Sequence, residues 1–303
     1  MPLPLIRHLL LGVMVTALGV APTTARAETS IERAARTGEL ALGVYSVNNP
    51  PYVQTNALEA LEGYAIDVAG LIAAEVSDYL DKTITVRSEE NSDPQALFDQ
   101  VHVGKLDLIC GAQFTWEREM FVDYSMPFAL SGIRLLSRLQ SIDGRPETIS
   151  TKRIGVIEGG FAEATIKSLQ PAASLTPVAS FKDGIAALQA GRIDAMAGDT
   201  LLLGSAASAA GFSRAALVPT IPYNRFAVGC VMPENNSTLR NLVNLAVAKM
   251  LQGYINGMPS YKTLVNRWLG PESSIGLPEQ MIQAYFQSVL LNYEQIGVPM
   301  AGP

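Results

Sequence analysis

Short apolar runs alternate along this chain with stretches whose apolar residues recur at every third or fourth position. ELALGV (39–44) predicts a strand, and Val68, Leu71, Ile72 and Val76 are spaced to share one face of a helix over 67–80. TITVR (83–87) predicts a second strand. Pro94, favoured in a first helical turn, opens a helix through Val103, and LDLIC (106–110) follows as a third strand. Strand, helix, strand, helix, strand is the order of a parallel α/β sheet.

The order then restarts: RIGVI (153–157) predicts a strand, 161–169 a helix, SLTPV (174–178) a strand, 181–190 a helix and IDAMAG (193–198) a strand. Each half carries one copy of a frame, VGKLDLICGAQ from Val103 and AGRIDAMAGDT from Ala190. Gly104 and Gly191 stand where a helix ends and the left-handed conformation is needed, and the following Asp is expected to start a buried strand. Beyond those strands, at the carboxyl ends where open α/β sheets bind ligands, one copy delivers Gly111, Ala112, Gln113 and soon Arg118, the other Gly198, Asp199 and Thr200. One half offers a cation, the other an anion.

The chain leaves the first half through an extended run at 131–140 and returns through another at 223–232, ahead of helical patterns at 239–254, 260–269 and 279–291. Two crossings make the first lobe discontinuous and predict a hinge with a cleft. The expected organisation is a leader at 1–27, lobe 1 at 28–134, lobe 2 at 135–226, and a return strand with C-terminal helices at 227–303 completing lobe 1.

The leader reading rests on Arg7 and His8, the apolar run Leu9–Val20, and Ala25-Arg26-Ala27, a small-x-small site with cleavage expected after Ala27. That run is too short to span a bilayer, for which about 20 residues are needed, so a soluble, exported protein is expected. With 28 acidic residues against 22 Lys and Arg, the formal net charge is −6, and loss of Arg7 and Arg26 makes the remainder more acidic. An acidic chain without a basic run is a poor nucleic-acid binder. Beyond the leader there are two cysteines, Cys110 and Cys230, and one histidine, His102. In an oxidising compartment the pair reads as a disulfide or as two buried thiols. Three N/S ligands fall short of the four of a structural zinc site. His102 is read as a surface residue of its helix, Asp67 as a helix cap, and Trp116 as packing beside the cleft or lining it.

At these residues the chain resembles the extracytoplasmic solute-binding proteins of polar-amino-acid ABC importers. The resemblance is carried by GVYSVNNPPYV, LEGYAIDVAGLIAAEV, GKLDLICGAQFTWEREMFVDYSMPFALSGIRLL, RIGVIEGG, GRIDAMAGD and YKTLVNRWLG in that order. It implies a periplasmic-binding-protein-like type II fold, α/β, with two lobes, a two-strand hinge and the ligand between them. A Cys just before the Gly of the third block, matched by one in the returning strand, is similar to the glutamate/aspartate-binding branch and implies a Cys110–Cys230 disulfide. The resemblance assigns Arg118 to the ligand α-carboxylate, Asp199 to its ammonium, Tyr52 to the pocket wall, Gly111 to a backbone contact, and Gly160 and Phe161 to a helix N-terminus suited to a carboxylate. The residues alone leave other roles open: Arg118 as a surface cation, Asp199 as a helix N-cap, Tyr52 as the close of a Pro50-Pro51 turn.

This chain departs from its relatives in having Gln113 where most have Thr, and Gly159-Gly160-Phe161 where most have Gly-Thr-Thr. Tyr45 replaces the Arg that meets the ligand side chain in the glutamate/aspartate branch, and Phe181 replaces a polar residue. A neutral or aromatic amino acid, or a non-standard carboxylate, is therefore expected at least as much as glutamate. The implied partner is a membrane permease of the ABC type; no cofactor is expected, and a monomer is. The rival reading is a periplasmic enzyme on the same fold, resembling cyclohexadienyl or arogenate dehydratases, with Glu158 or Glu163 as its acid or base.

Overall fold

A computed structural model of the chain describes residues 28–45, 48–213 and 216–292. The expected leader and its cleavage site lie outside the described residues. Helix α1 (Ser30–Thr37) begins at a capping box, in which the Thr29 hydroxyl accepts from Glu32 N while the Glu32 carboxylate takes the Thr29 N–H. Strand β1 (Glu39–Tyr45) follows, then a small hairpin of β2 (Gln54–Thr55) and β3 (Leu61–Glu62), helix α2 (Tyr64–Leu80) and strand β4 (Thr85–Asn91), parallel to β1. Helix α3 (Pro94–His102) leads to β5 (Ile109–Gln113), the short helix α4 (Trp116–Glu119), β6 (Asp123–Tyr124) and the long strand β7 (Ala129–Ser137).

The second half comprises α5 (Pro146–Ile149), β8 (Arg153–Ile157), α6 (Phe161–Leu169), β9 (Ser174–Val178), α7 (Phe181–Gln189), β10 (Ala195–Asp199), α8 (Thr200–Ala209) and β11 (Leu217–Val218). The chain returns in β12 (Arg225–Met232) and ends in α9 (Ser237–Ile255), α10 (Pro259–Trp268) and α11 (Glu279–Asn292). One sheet runs β5-β12-β7-β10-β8-β9. Its second and third strands are the crossings: β12 pairs β5 at one end and β7 at the other, while β7 continues beside β10. Strand β1 joins the β5 side through a parallel bridge between Leu42 and Leu108. The cores follow from the apolar runs, for β1 is buried from Leu40 to Val44, as a parallel strand covered on both faces must be. The apolar stripe of α2, including Val68, Ile72 and Val76, packs against α9.

The repeated frame does the same work twice. Gly104 (φ +72°) and Gly191 (φ +69°) adopt the left-handed turn expected of them. The Asp107 carboxylate accepts the Ala41 N–H at 2.8 Å while the Asp107 N–H donates to the Ala41 carbonyl at 2.9 Å. Asp194 makes the same exchange with Arg153, at 2.8 Å in both directions. An arginine then ties each frame: Arg33 donates to the Gly104 carbonyl and pairs with Asp107, and Arg153 donates to the Gly191 carbonyl and pairs with Asp194.

Three strands shift at both ends. The ladders begin at Thr85, Ile109 and Ala195 rather than at 83, 106 and 193, and end at Asn91, Gln113 and Asp199. In the last two the frame residues spend their polar groups on the latch before pairing begins. Asp67 is not a cap: Gly63 precedes α2, and the Asp67 carboxylate accepts the Trp268 Nε1–H at 2.6 Å, fastening α10 to α2. His102 is a surface residue as expected, its Nδ1 lying 2.8 Å from the Phe121 carbonyl. Cys110 and Cys230 form a disulfide that fastens β5 to β12.

Candidate functional site

The β5 and β10 strands end on a common cavity of about 370 Å³, and every sequence-predicted contact lines it: Tyr52, Gly111, Gln113, Arg118, Gly160, Phe161 and Asp199. Arg118 sits in the single turn of α4, which forms because the Thr115 hydroxyl accepts the Arg118 N–H. Its guanidinium donates to the Gln113 carbonyl at 3.3 Å and lies 4.3 Å above the Phe98 ring, with no carboxylate partner among the described residues. One edge of a fork that suits a carboxylate is thus left open. The Gln113 carboxamide also bonds to no described group, while the Gln113 carbonyl takes the Tyr124 hydroxyl at 2.9 Å. Burial pushes the Tyr124 pKa up to about 12.

Asp199 fills one of its candidate roles, the helix cap, and its side chain also lines the cavity. One carboxylate oxygen accepts from Leu201 N at 2.8 Å and Leu202 N at 3.0 Å. Burial raises its pKa, against the Leu202 and Leu201 amides, which favour the charged form. Tyr52 lies against Gly111. Gly111 has φ +85°, and a Cβ there would come within 3.2 Å of the Tyr52 ring, so conformation and space both call for glycine. The Tyr52 hydroxyl is buried without a hydrogen-bond partner, and burial, then the Asp199 charge, holds its pKa well above the usual phenol range.

At the opposite wall α6 begins with Gly160 as N-cap, but the Gly160 N–H is spent on the Ile157 carbonyl at 3.0 Å. The donors left are those of Phe161 and Ala162, which find no acceptor among the described residues. Phe161 packs edge-on against Phe226 of β12, with ring centroids 5.8 Å apart. The Phe181 ring fills the room that a Cβ at Gly198 would need, and Tyr45 and Phe98 complete an aromatic wall. Phe98 went unnoticed in the sequence because an aromatic on the apolar stripe of a helix reads as core.

Trp116, whose position the sequence left open, is 75% exposed, meets Phe114 edge-on, and does not line the cavity. Glu158 is exposed, and the Glu163 carboxylate accepts from Gly159 N at 2.7 Å and pairs with Lys167, so neither carboxylate reaches the cavity. Among the described residues, Arg118 and Asp199 are the charged side chains in its wall, and no cluster of His, Cys, Asp and Glu is placed to hold a metal. No described helix is long and apolar enough to cross a membrane.

Comparison with known proteins places these features in context. The model of the bacterial extracellular solute-binding proteins, family 3, matches residues 42–271. The chain is 23% identical over 227 residues to a putative ABC transporter arginine-binding protein 2 of Escherichia coli (strain K12), covering 72% of this chain and 86% of that one. Among solved structures it is similar to an ancestral amino-acid-binding protein described as a precursor of cyclohexadienyl dehydratase, with TM-score 0.65 and 20% identity over 80% of this chain and all of the other. It is likewise similar to the L-cysteine solute receptor of Neisseria gonorrhoeae, with TM-score 0.64 and 22% identity over 79% of this chain and 93% of that one. The shared fold is the type II periplasmic-binding-protein arrangement of two α/β lobes.

Proposed function

We propose, for a chain that belongs to the bacterial extracellular solute-binding proteins of family 3, that it captures a zwitterionic amino acid with an uncharged side chain and presents it to an ABC permease. The observation that carries this reading is the charge census of the cavity, one guanidinium and one carboxylate among the described residues. Arg118 takes the α-carboxylate, helped by the free N–H groups of Phe161 and Ala162, and Asp199 takes the ammonium. The ligand side chain then meets Tyr45, Phe98 and Phe181. Glutamate would bring a second carboxylate with no second cation to receive it, and arginine a guanidinium with no second acid; a buried unpaired charge is costly. The cysteine pair matches the glutamate/aspartate branch, but the pocket chemistry departs from it.

In this reading residues 28–134 and 227–303 form one lobe and 135–226 the other, closing about β7 and β12 as a periplasmic monomer. Opposite charges on opposing lobes favour closure when a zwitterion bridges them, so the ligand shifts the open–closed population by its differential affinity. With Glu158 exposed and Glu163 committed to Gly159 and Lys167, binding is favoured over dehydration. The test is a thermal-shift screen of the exported protein with the common amino acids, followed by calorimetry, since a ligand of the native state raises the midpoint. Leucine, methionine or phenylalanine should outrank glutamate, aspartate and arginine. A charged side chain at the top of that ranking would overturn the assignment, and turnover of prephenate or arogenate would favour the enzyme.

A further inference from the structure

A second cavity, of about 490 Å³, shares no wall residue with the first. It lies beside the lobe crossing, between β7, the first turn of α8, the approach to β12, and helices α10 and α11. Its walls are mostly apolar, with Leu130, Ile221, Leu277, Met281, Ile282 and Phe286 among them, yet two arginines, Arg134 and Arg225, enter it. Arg225 of β12 stands opposite Gly132 of β7, which makes Arg134 its diagonal neighbour on the same face, about 7 Å away.

Both guanidiniums lack a carboxylate among the described residues. Arg134 donates to the Thr220 carbonyl, but its Nε is buried with no partner. Burial also lowers its pKa, the response of a cation with nothing to offset its desolvation. Arg134 is half-buried and Arg225 exposed, and two like charges side by side at the mouth of an apolar hole repel each other unless an anion bridges them. Two guanidinium forks suit the planar carboxylate, and the hole behind them suits hydrocarbon; its volume falls in the range of small-molecule sites, roughly 300–1,000 Å³.

We propose that this second cavity binds an amphiphilic organic carboxylate, its head between Arg134 and Arg225 and its apolar body among Leu277, Met281, Ile282 and Phe286. The walls come from both sides of the crossing, and Thr200 and Leu201, which line it, adjoin Asp199 in the first cavity. An occupant therefore favours the lobe arrangement in which these walls meet.

Calorimetry of the exported protein with octanoate, octan-1-ol and acetate tests this. Octanoate should bind with one-to-one stoichiometry, with octanol and acetate each at least about tenfold weaker, because each lacks one half of the recognition. Combined Arg134→Gln and Arg225→Gln should weaken octanoate by about tenfold or more. Met281→Trp, at a side chain 57% exposed, should block the hole without unfolding α11, and it decides the matter if the double variant does not fold. Arg118→Ala should leave octanoate binding unchanged. The proposal is overturned if octanoate does not bind, if octanol binds equally well, if Met281→Trp leaves binding intact, or if Arg118→Ala abolishes it, which would put octanoate in the first cavity.

Discussion

Tyr52 and Asp199 line one cavity from opposite sides of the crossing strands. The carboxylate charge adds to burial in raising the tyrosine's pKa, yet the hydroxyl itself has no hydrogen-bond partner. An unpaired buried hydroxyl costs the fold and leaves a donor for a bound guest. Tyr52→Phe should therefore keep or raise the urea midpoint, by up to about 1 kcal/mol, while weakening the ligand about five- to tenfold. A variant that lost stability and kept full affinity would contradict this role.

Arg118 should behave in the opposite way. Its side-chain ties to the fold are a 3.3 Å bond to the Gln113 carbonyl, the Phe98 ring and the neighbouring Tyr124 hydroxyl, so Arg118→Ala should cost about 1 kcal/mol of stability. Ligand affinity by calorimetry should fall about 100-fold or more as the charge-assisted fork is lost. Arg118→Lys keeps the charge without the fork and should recover little of that loss.

The raised pKa of Asp199 sets two pH dependences of opposite sense. In the unliganded fold the carboxyl binds its proton more tightly than in the unfolded chain. Its contribution to stability is then fully present below the ordinary carboxylate range and lost as pH rises through the raised value. A ligand ammonium prefers the ionised form, so affinity should fall as pH drops through that same value. Calorimetry and urea unfolding from pH 4 to pH 7 should show both slopes reduced in Asp199→Asn, the difference from the native chain being the Asp199 contribution, since Glu119, Asp123 and other shifted carboxyls titrate in both.

The two copies of the repeated frame should differ in energetic weight. Asp107 is 1% exposed and accepts from both Ala41 N and Arg33, whereas the Arg153 partner of Asp194 is about half exposed. Asp107→Ala strands a half-buried guanidinium and a buried N–H, and should cost about 3–5 kcal/mol. Asp194→Ala should cost about 1–2 kcal/mol, because water reaches Arg153. Chemical denaturation of the two variants reads the difference directly.

Much of this was legible in the sequence because it rests on local rules. The helix at 161–169 and the strands at 153–157 and 174–178 follow from periodicity alone, and the left-handed turns at Gly104 and Gly191 from the one residue that adopts them cheaply. Asp67 misled because an acid near a helix start reads locally as a cap. Its partner, Trp268, lies 201 residues away and came near only through the packing of α10 on α2.

Alternation of apolar and polar residues, the two glycine turns and the order of the elements belong to the sequence, since each depends on neighbours within a few positions. Whether Arg118 and Asp199 would share one cavity, and whether Arg134 and Arg225 would stand side by side without an acid, were decided by the packing of the two halves about β7 and β12. Those relations join residues tens of positions apart, and no periodicity encodes the distance between groups that meet only once the sheet has closed around them.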